Sequence, residues 1–229
     1  MIFAIAAAIA TAAPQAAACP DVVTPDALVC RALEAQKSGK SEDAAQSFEE
    51  AAKASSDKDP RTARMWAAAG NLWITVDQPG KAALDLDRAL AMPGLEAEQR
   101  GEALLDRARA AEAQDDLRTA RAKANEAAAS ISDDPFFWYF SAALAIREND
   151  HTAAKAAIGK ALTLAPSDPA LLFEAGHVAD FDGDDEAARG YWMRAAGSDP
   201  TGPIGKAAAK AVEMLGVTPV LKTDTQPRK

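Results

Sequence analysis

Histidine and cysteine are almost missing from this chain, with two of each in 229 residues. His151 and His177 lie far apart, and Cys19 and Cys30 sit together near the start. Without a His-x-x-x-His pair or a cysteine cluster, no conventional metal site has its ligand spacing. No serine or cysteine has a recognisable histidine partner for nucleophilic catalysis, and no glycine-rich phosphate loop follows a strand-like run. Val, Ile, Tyr and Thr are too sparse and scattered to build a sheet. Cations are also short: 25 Lys and Arg stand against 34 Asp and Glu, for a net charge of -9. The last residues hold Lys222, Arg228 and Lys229 against Asp224 alone, so the body is more acidic still. Phosphate backbones and anionic lipid surfaces repel such a body, so nucleic acid is not an expected partner. No apolar run is long enough for an integral membrane span. These absences argue against an enzyme, a cofactor or a metal, and the oligomeric state is left open.

What is present is alanine, mixed over long stretches with Glu, Lys, Arg and Leu. These side chains lose little freedom in a helix, which predicts an all-α chain.

The first residues, "MIFAIAAAIATAAPQAAA", have the apolar core length of a signal peptide, and Ala16-Ala17-Ala18 supply the small residues of a cleavage site. The missing Lys or Arg before the apolar run departs from that pattern. With 1–18 removed, the chain starts at Cys19 and is expected in the periplasm or outside the cell. In such an oxidising compartment Cys19 and Cys30 are a candidate disulfide, contributing roughly 2–3 kcal/mol by restricting the unfolded chain. Two alternatives stay open: a lipidated Cys19, making an outer-membrane lipoprotein and assembly factor, or two free thiols. "AAAC" lacks the large aliphatic residue usual three places before a lipidated cysteine.

The body repeats. Residues 134–166 align with 168–200 at an offset of 34, matching Pro135 with Pro169, Ala142 with Gly176, Ala154 with Ala188, Ala161 with Ala195 and Pro166 with Pro200. A repeat started at Pro169 places Leu172 at position 4, Gly176 at 8, Ala188 at 20, Trp192 at 24 and Ala195 at 27. Starts near 25, 63, 101 and 135 give the same sequence of large and small residues. The period and pattern resemble the tetratricopeptide repeat over roughly residues 25–200. The resemblance implies a right-handed α-solenoid of about five antiparallel helix pairs in a domain spanning 19–216. "SSDKDP" and "MPGLEAE" are expected as lengthened loops where the spacing grows to 38. The segment about 203–215 is expected as a capping helix, with Pro203 in its first turn and Gly216 as its stop. Residues 217–229 are expected as a flexible tail.

In that family the first helices line a groove through positions 2, 5, 9, 12 and 13. Carried over, those slots make Asn71, Leu105, Arg109, Phe136, Tyr139, Arg147, Phe173, His177 and Phe181 the candidate contacts for a segment of another protein. The resemblance thus implies a non-catalytic scaffold, which the N-terminal segment places in the cell envelope, with an enzyme or metal-responsive sensor as an alternative. All four tryptophans fall on core slots: Trp66 and Trp138 at position 4, Trp73 at 11, Trp192 at 24. His151, in an intra-repeat turn, is expected to be solvated. The acidic run "DFDGDDEAARGYW" puts Asp180, Asp182 and Asp184 at calcium-loop positions 1, 3 and 5, but lacks glycine at 6 and glutamate at 12. The repeat register makes it the turn between two paired helices.

Overall fold

The computed structural model describes residues 19–215. The expected signal peptide 1–18, the Gly216 stop and the tail 217–229 lie outside the described residues. Those described form eleven α-helices and, among them, no strand. In order these are α1 (Pro25–Lys37), α2 (Ser41–Ala54), α3 (Arg61–Thr75), α4 (Pro79–Ala91), α5 (Ala97–Glu112), α6 (Leu117–Ile131), α7 (Pro135–Arg147), α8 (His151–Leu164), α9 (Pro169–Phe181), α10 (Asp185–Ser198) and α11 (Pro203–Leu215). Each helix packs on its chain neighbour. The first helices also touch one another in series, α3 on α5, α5 on α7 and α7 on α9. This is an all-α solenoid of five helix pairs with a closing helix.

One local rule makes the five pairs. Position 15 of every repeat has left-handed backbone: Gly39, Asp77, Asp115, Asn149 and Gly183, with φ from 56° to 79°. The next N–H always reaches back to the last turn of the first helix, as in Lys40 to the Ala35 carbonyl at 2.9 Å and Asp184 to that of Ala179 at 2.9 Å. The helix thereby closes as a Schellman motif, and the chain re-enters a helix at once. Asp116, Asp150 and Asp184 cap that second helix by accepting from Thr119, Ala153 and Ala187 N–H. Asp134 and Asp168 do the same ahead of Pro135 and Pro169, which open α7 and α9.

Small residues set how closely the helices approach. Every alanine at positions 20 and 27 is 0% exposed. A Cβ on Gly70 would press into the Leu86 side chain, and one on Gly176 would fall on the Trp192 indole. These glycines are therefore the spaces that the large residues of position 24 fill. Four apolar clusters follow the chain, and half-buried Leu90, Trp138, Leu162 and Tyr191 each join two of them into a continuous core. Trp66, Trp73 and Trp192 are buried as expected. Trp138 is half-buried, with its Nε1 donating to the Ser132 carbonyl at 2.7 Å.

Two expectations change in detail. The second and third first-helices begin at Arg61 and Ala97, before the repeat starts at 63 and 101. Their extra residues wind on as helix, so α3 and α5 have 15 and 16 residues where α7 and α9 have 13. Only the remainder forms loops, and one of these, at Gly94, lies against the Pro60 backbone too closely for any Cβ.

Both ends of the described residues are tied down. Cys19 and Cys30 are bridged, and Arg31 donates to the Pro20 and Val22 carbonyls at 2.9 and 3.0 Å, so the lead-in lies along α1. The bridge takes up the Cys19 sulfur, so the lipidated alternative is not the state of this structure. Glu34 is near both sulfurs, but no thiolate remains beside it to hold a metal. At the other end α11 lays Ala208, Ala211, Val212 and Leu215 over Leu172 and Trp192, closing the last apolar face. Among the described residues no helix is long and apolar enough to cross a membrane.

Candidate functional site

Because the first helices run side by side, their side chains share one surface, and two depressions open along it. The first, about 520 Å³, is lined by α3, α5, the loop residue Leu95 and the start of α7. The second, about 430 Å³, is lined by α5, α7 and α9. No residue of a second helix lines either one.

Most of the sequence-derived contacts gather here, in two groups. Asn71, Leu105, Arg109 and Phe136 line the first depression; Arg147, His177 and Phe181 line the second. Tyr139 lies between them, half-buried, with its ring stacked 5.7 Å from that of Phe136. Phe136 is 43% exposed, and the Arg109 guanidinium sits 5.5 Å from its ring centroid. Leu105 is only 4% exposed and is wall and core rather than a projecting contact.

Phe173 faces elsewhere. It packs in the last apolar cluster under α11, its ring 4.5 Å from His177, while its carbonyl accepts from Trp192 Nε1 at 3.0 Å. Phe181 is covered by His151, whose ring stacks on it at 3.9 Å. His151 is exposed at the intra-repeat turn, as expected, and also makes an inter-repeat contact, its Nδ1 lying 3.4 Å from Asp182. Lys155 pairs with the same carboxylate. Those donors, led by Lys155, hold the Asp182 carboxyl below its ordinary range. With Asp182 paired in this way and Asp184 capping α10, the acidic run is a structural turn.

Two carboxylates that the groove positions did not include line the two depressions, Asp106 the first and Glu174 the second. Asp106 accepts from Asn71 Nδ2 at 2.7 Å and from Arg109 at 2.8 Å. Two of the expected contacts thus hold each other in place through a third residue. Burial pushes the Asp106 carboxyl up, against the pull of Asn71 and Arg109. Glu102, on the same wall, is raised by burial and by Glu98, Asp106 and Asp134. In the second depression Glu174 is 8% exposed, and burial alone pushes it up to about 7. Both residues are at position 6 of their repeats, where the others carry Cys30, Ala68 and Phe140. A carboxylate in a slot that otherwise holds small or apolar residues was the available signal. Arg147 is not free to meet a ligand's anion, because it is held by Glu112 and by Asp115 at 2.6 Å.

Five antiparallel helix pairs in this register, with a continuous first-helix surface, constitute a tetratricopeptide-repeat fold. Solved structures bear this out. The chain is similar to PilW, a widely conserved type IV pilus biogenesis factor, at 18% identity and TM-score 0.68, over 81% of this chain and 82% of that one. A tetratricopeptide repeat protein from Parabacteroides merdae matches at 12% identity and TM-score 0.67, over 84% and 73%. YrrB, described as a TPR protein with an unusual peptide-binding site, matches at 16% identity and TM-score 0.59, over 80% and 91%. No protein-family model matches the chain, and no curated protein matches it.

Proposed function

We propose that the protein is a non-catalytic scaffold that holds a segment of another protein along its first-helix surface, in the cell envelope of a bacterium. The observation that carries the reading is that no second helix lines either depression, and that each spans three first helices. A partner lying across them would touch α3, α5, α7 and α9 in turn. The rim is pre-organised: Asn71 and Arg109 are fixed by Asp106, and Phe136 is stacked on Tyr139. Ordering these side chains therefore costs little on binding. The peptide-binding description of YrrB and the pilus-biogenesis description of PilW support a scaffold of this kind. The envelope location is supported by the apolar N-terminal segment and by the Cys19–Cys30 bridge, which suits an oxidising compartment.

The test is site-specific photo-crosslinking in the native host. A benzophenone side chain at Phe136 should capture a protein, whereas one at Leu84, exposed on a second helix, should not. Tyr139→Ala should weaken the captured complex by about 1–3 kcal/mol, the cost of losing an aromatic anchor. Equal capture from both positions, or capture unaffected by Tyr139→Ala, refutes the groove.

A further inference from the structure

Glu174 has an acceptor with nothing to accept. It is 8% exposed, and among the described residues it has no hydrogen bond or ion pair. Lining the same depression are Glu112, Ile146, Arg147, His177 and Asp180. The cation there, Arg147, is tied to Glu112 and Asp115. His177 is wedged edge-on between Phe173 and Trp192, and burial favours its neutral form against the pull of Asp180. Tyr139 offers no charge, since burial and the Glu174 carboxylate both hold its hydroxyl protonated. Helices α8, α10 and α11 also pack against α9, but contribute nothing to the lining. The protein thus completes the site from no side.

Building on the groove reading, we propose that this depression seats one basic side chain, lysine or arginine, of the bound protein segment. A carboxylate with so little exposure and no protein donor is poorly solvated where it meets the depression, and a cation that arrives with its own hydrogens relieves that cost. Glu112 and Asp180 on the walls repel an anion and attract a cation. Ile146 and Phe181 offer apolar contact for the aliphatic stem of a long side chain whose head reaches Glu174. A metal ion fits less well, because among the described residues no three carboxylate or histidine ligand atoms converge in this depression.

The chemistry has a pH signature. The incoming cation requires Glu174 ionised, and burial holds its pKa up to about 7. Binding below that pH must release a proton, so affinity should fall roughly tenfold from about pH 8 to about pH 6. Glu174→Gln should abolish the dependence.

The experiment selects displayed random peptides on the full chain, then measures each winner by fluorescence anisotropy against the wild type and Glu174→Gln. The winners should share a Lys or Arg. Replacing it by norleucine or citrulline should cost about tenfold against the wild type and less than about twofold against Glu174→Gln. Unchanged circular dichroism, and unchanged competition for the Phe136 crosslink by the norleucine or citrulline peptides, establish that the variant is folded and its groove intact. Peptides that compete at Phe136 but carry no basic residue, or whose basic residue matters equally in both proteins, overturn the cation site and leave the groove reading standing. Failure to select any competing peptide overturns both. Basic peptides that bind only after Lys222, Arg228 and Lys229 are replaced by glutamine assign the site to the chain's own C-terminal residues and overturn the partner assignment.

Discussion

Replacing Asp85 by asparagine should stabilise the protein at neutral pH. Asp85 lies on α4 with 2% of its surface exposed. Its Oδ1 accepts from Arg88 at 2.9 Å, and its Oδ2 is buried without a partner. Beside it stands Glu49, which accepts from Trp73 Nε1 at 2.8 Å and from Lys53 at 2.5 Å. Burial pushes the Glu49 carboxyl up, but the Lys53 and Trp73 donors outweigh it and keep that residue ionised. The remaining proton belongs to Asp85, which burial first and the Glu49 charge second push up to about 6, against Arg88. Its value in the unfolded chain is about 3.9, so the native state binds this proton more tightly. The stability from this group is therefore complete below about pH 4 and is lost as pH rises through about 6. The difference of about two pH units corresponds to roughly 3 kcal/mol at neutral pH. Asparagine keeps an acceptor for Arg88 and carries no charge to desolvate. The half-exposed Arg88 pair contributes less than about 1 kcal/mol, too little to reverse the sign. Denaturant unfolding, followed by the fluorescence of Trp66 and Trp73, should show the two proteins converging near pH 4. They should diverge by roughly 2–3 kcal/mol by pH 7. The subtraction removes Glu174, Asp106 and Glu102, which titrate in both proteins. Parallel pH profiles would refute the buried-proton account.

Other outcomes follow from the packing. Cys30→Ser, or reduction of the bridge, should lower stability by roughly 2–3 kcal/mol in denaturant unfolding, and thiol alkylation of the untreated wild type should label neither cysteine. Gly176→Ala should cost about 1–3 kcal/mol by forcing a methyl against Trp192, whereas Gly190→Ala, with open space around it in α10, should gain about 0.5–1 kcal/mol. Asp77→Gly should hold or raise stability while Asp77→Val costs about 1–2 kcal/mol, because position 77 needs left-handed backbone.

The helix pairs were legible in the sequence because alanine and glycine at positions 8, 20 and 27 are steric requirements of the fold. The same register placed the turn that holds Gly183 between two paired helices. It did not mark Asp77, Asp115 and Asn149, which adopt the same backbone with a side chain that tolerates it. The added residues of the second and third repeats were read as loop, since spacing alone cannot distinguish longer loops from longer helices. Among the groove residues, slot numbers found the surface but not the pairings. Nothing in the sequence shows that Arg109 and Asn71 converge on Asp106, or that His151 from one repeat covers Phe181 of the next. Those contacts depend on how far one pair rotates against its neighbour, which is a property of the whole stack.

The five left-handed turns carry a mechanical consequence. Each lies at the same place in its unit, and each joins two helices whose angle it fixes together with the small residues packed between them. The groove's curvature then sums contributions from all five pairs, and a change of angle within one pair displaces the pairs stacked beyond it. A substitution at Asn149, which lines neither depression, would alter the distance between Asp106 and Glu174. Partner preference in such a molecule can be retuned from its elbows, with every contact residue left in place.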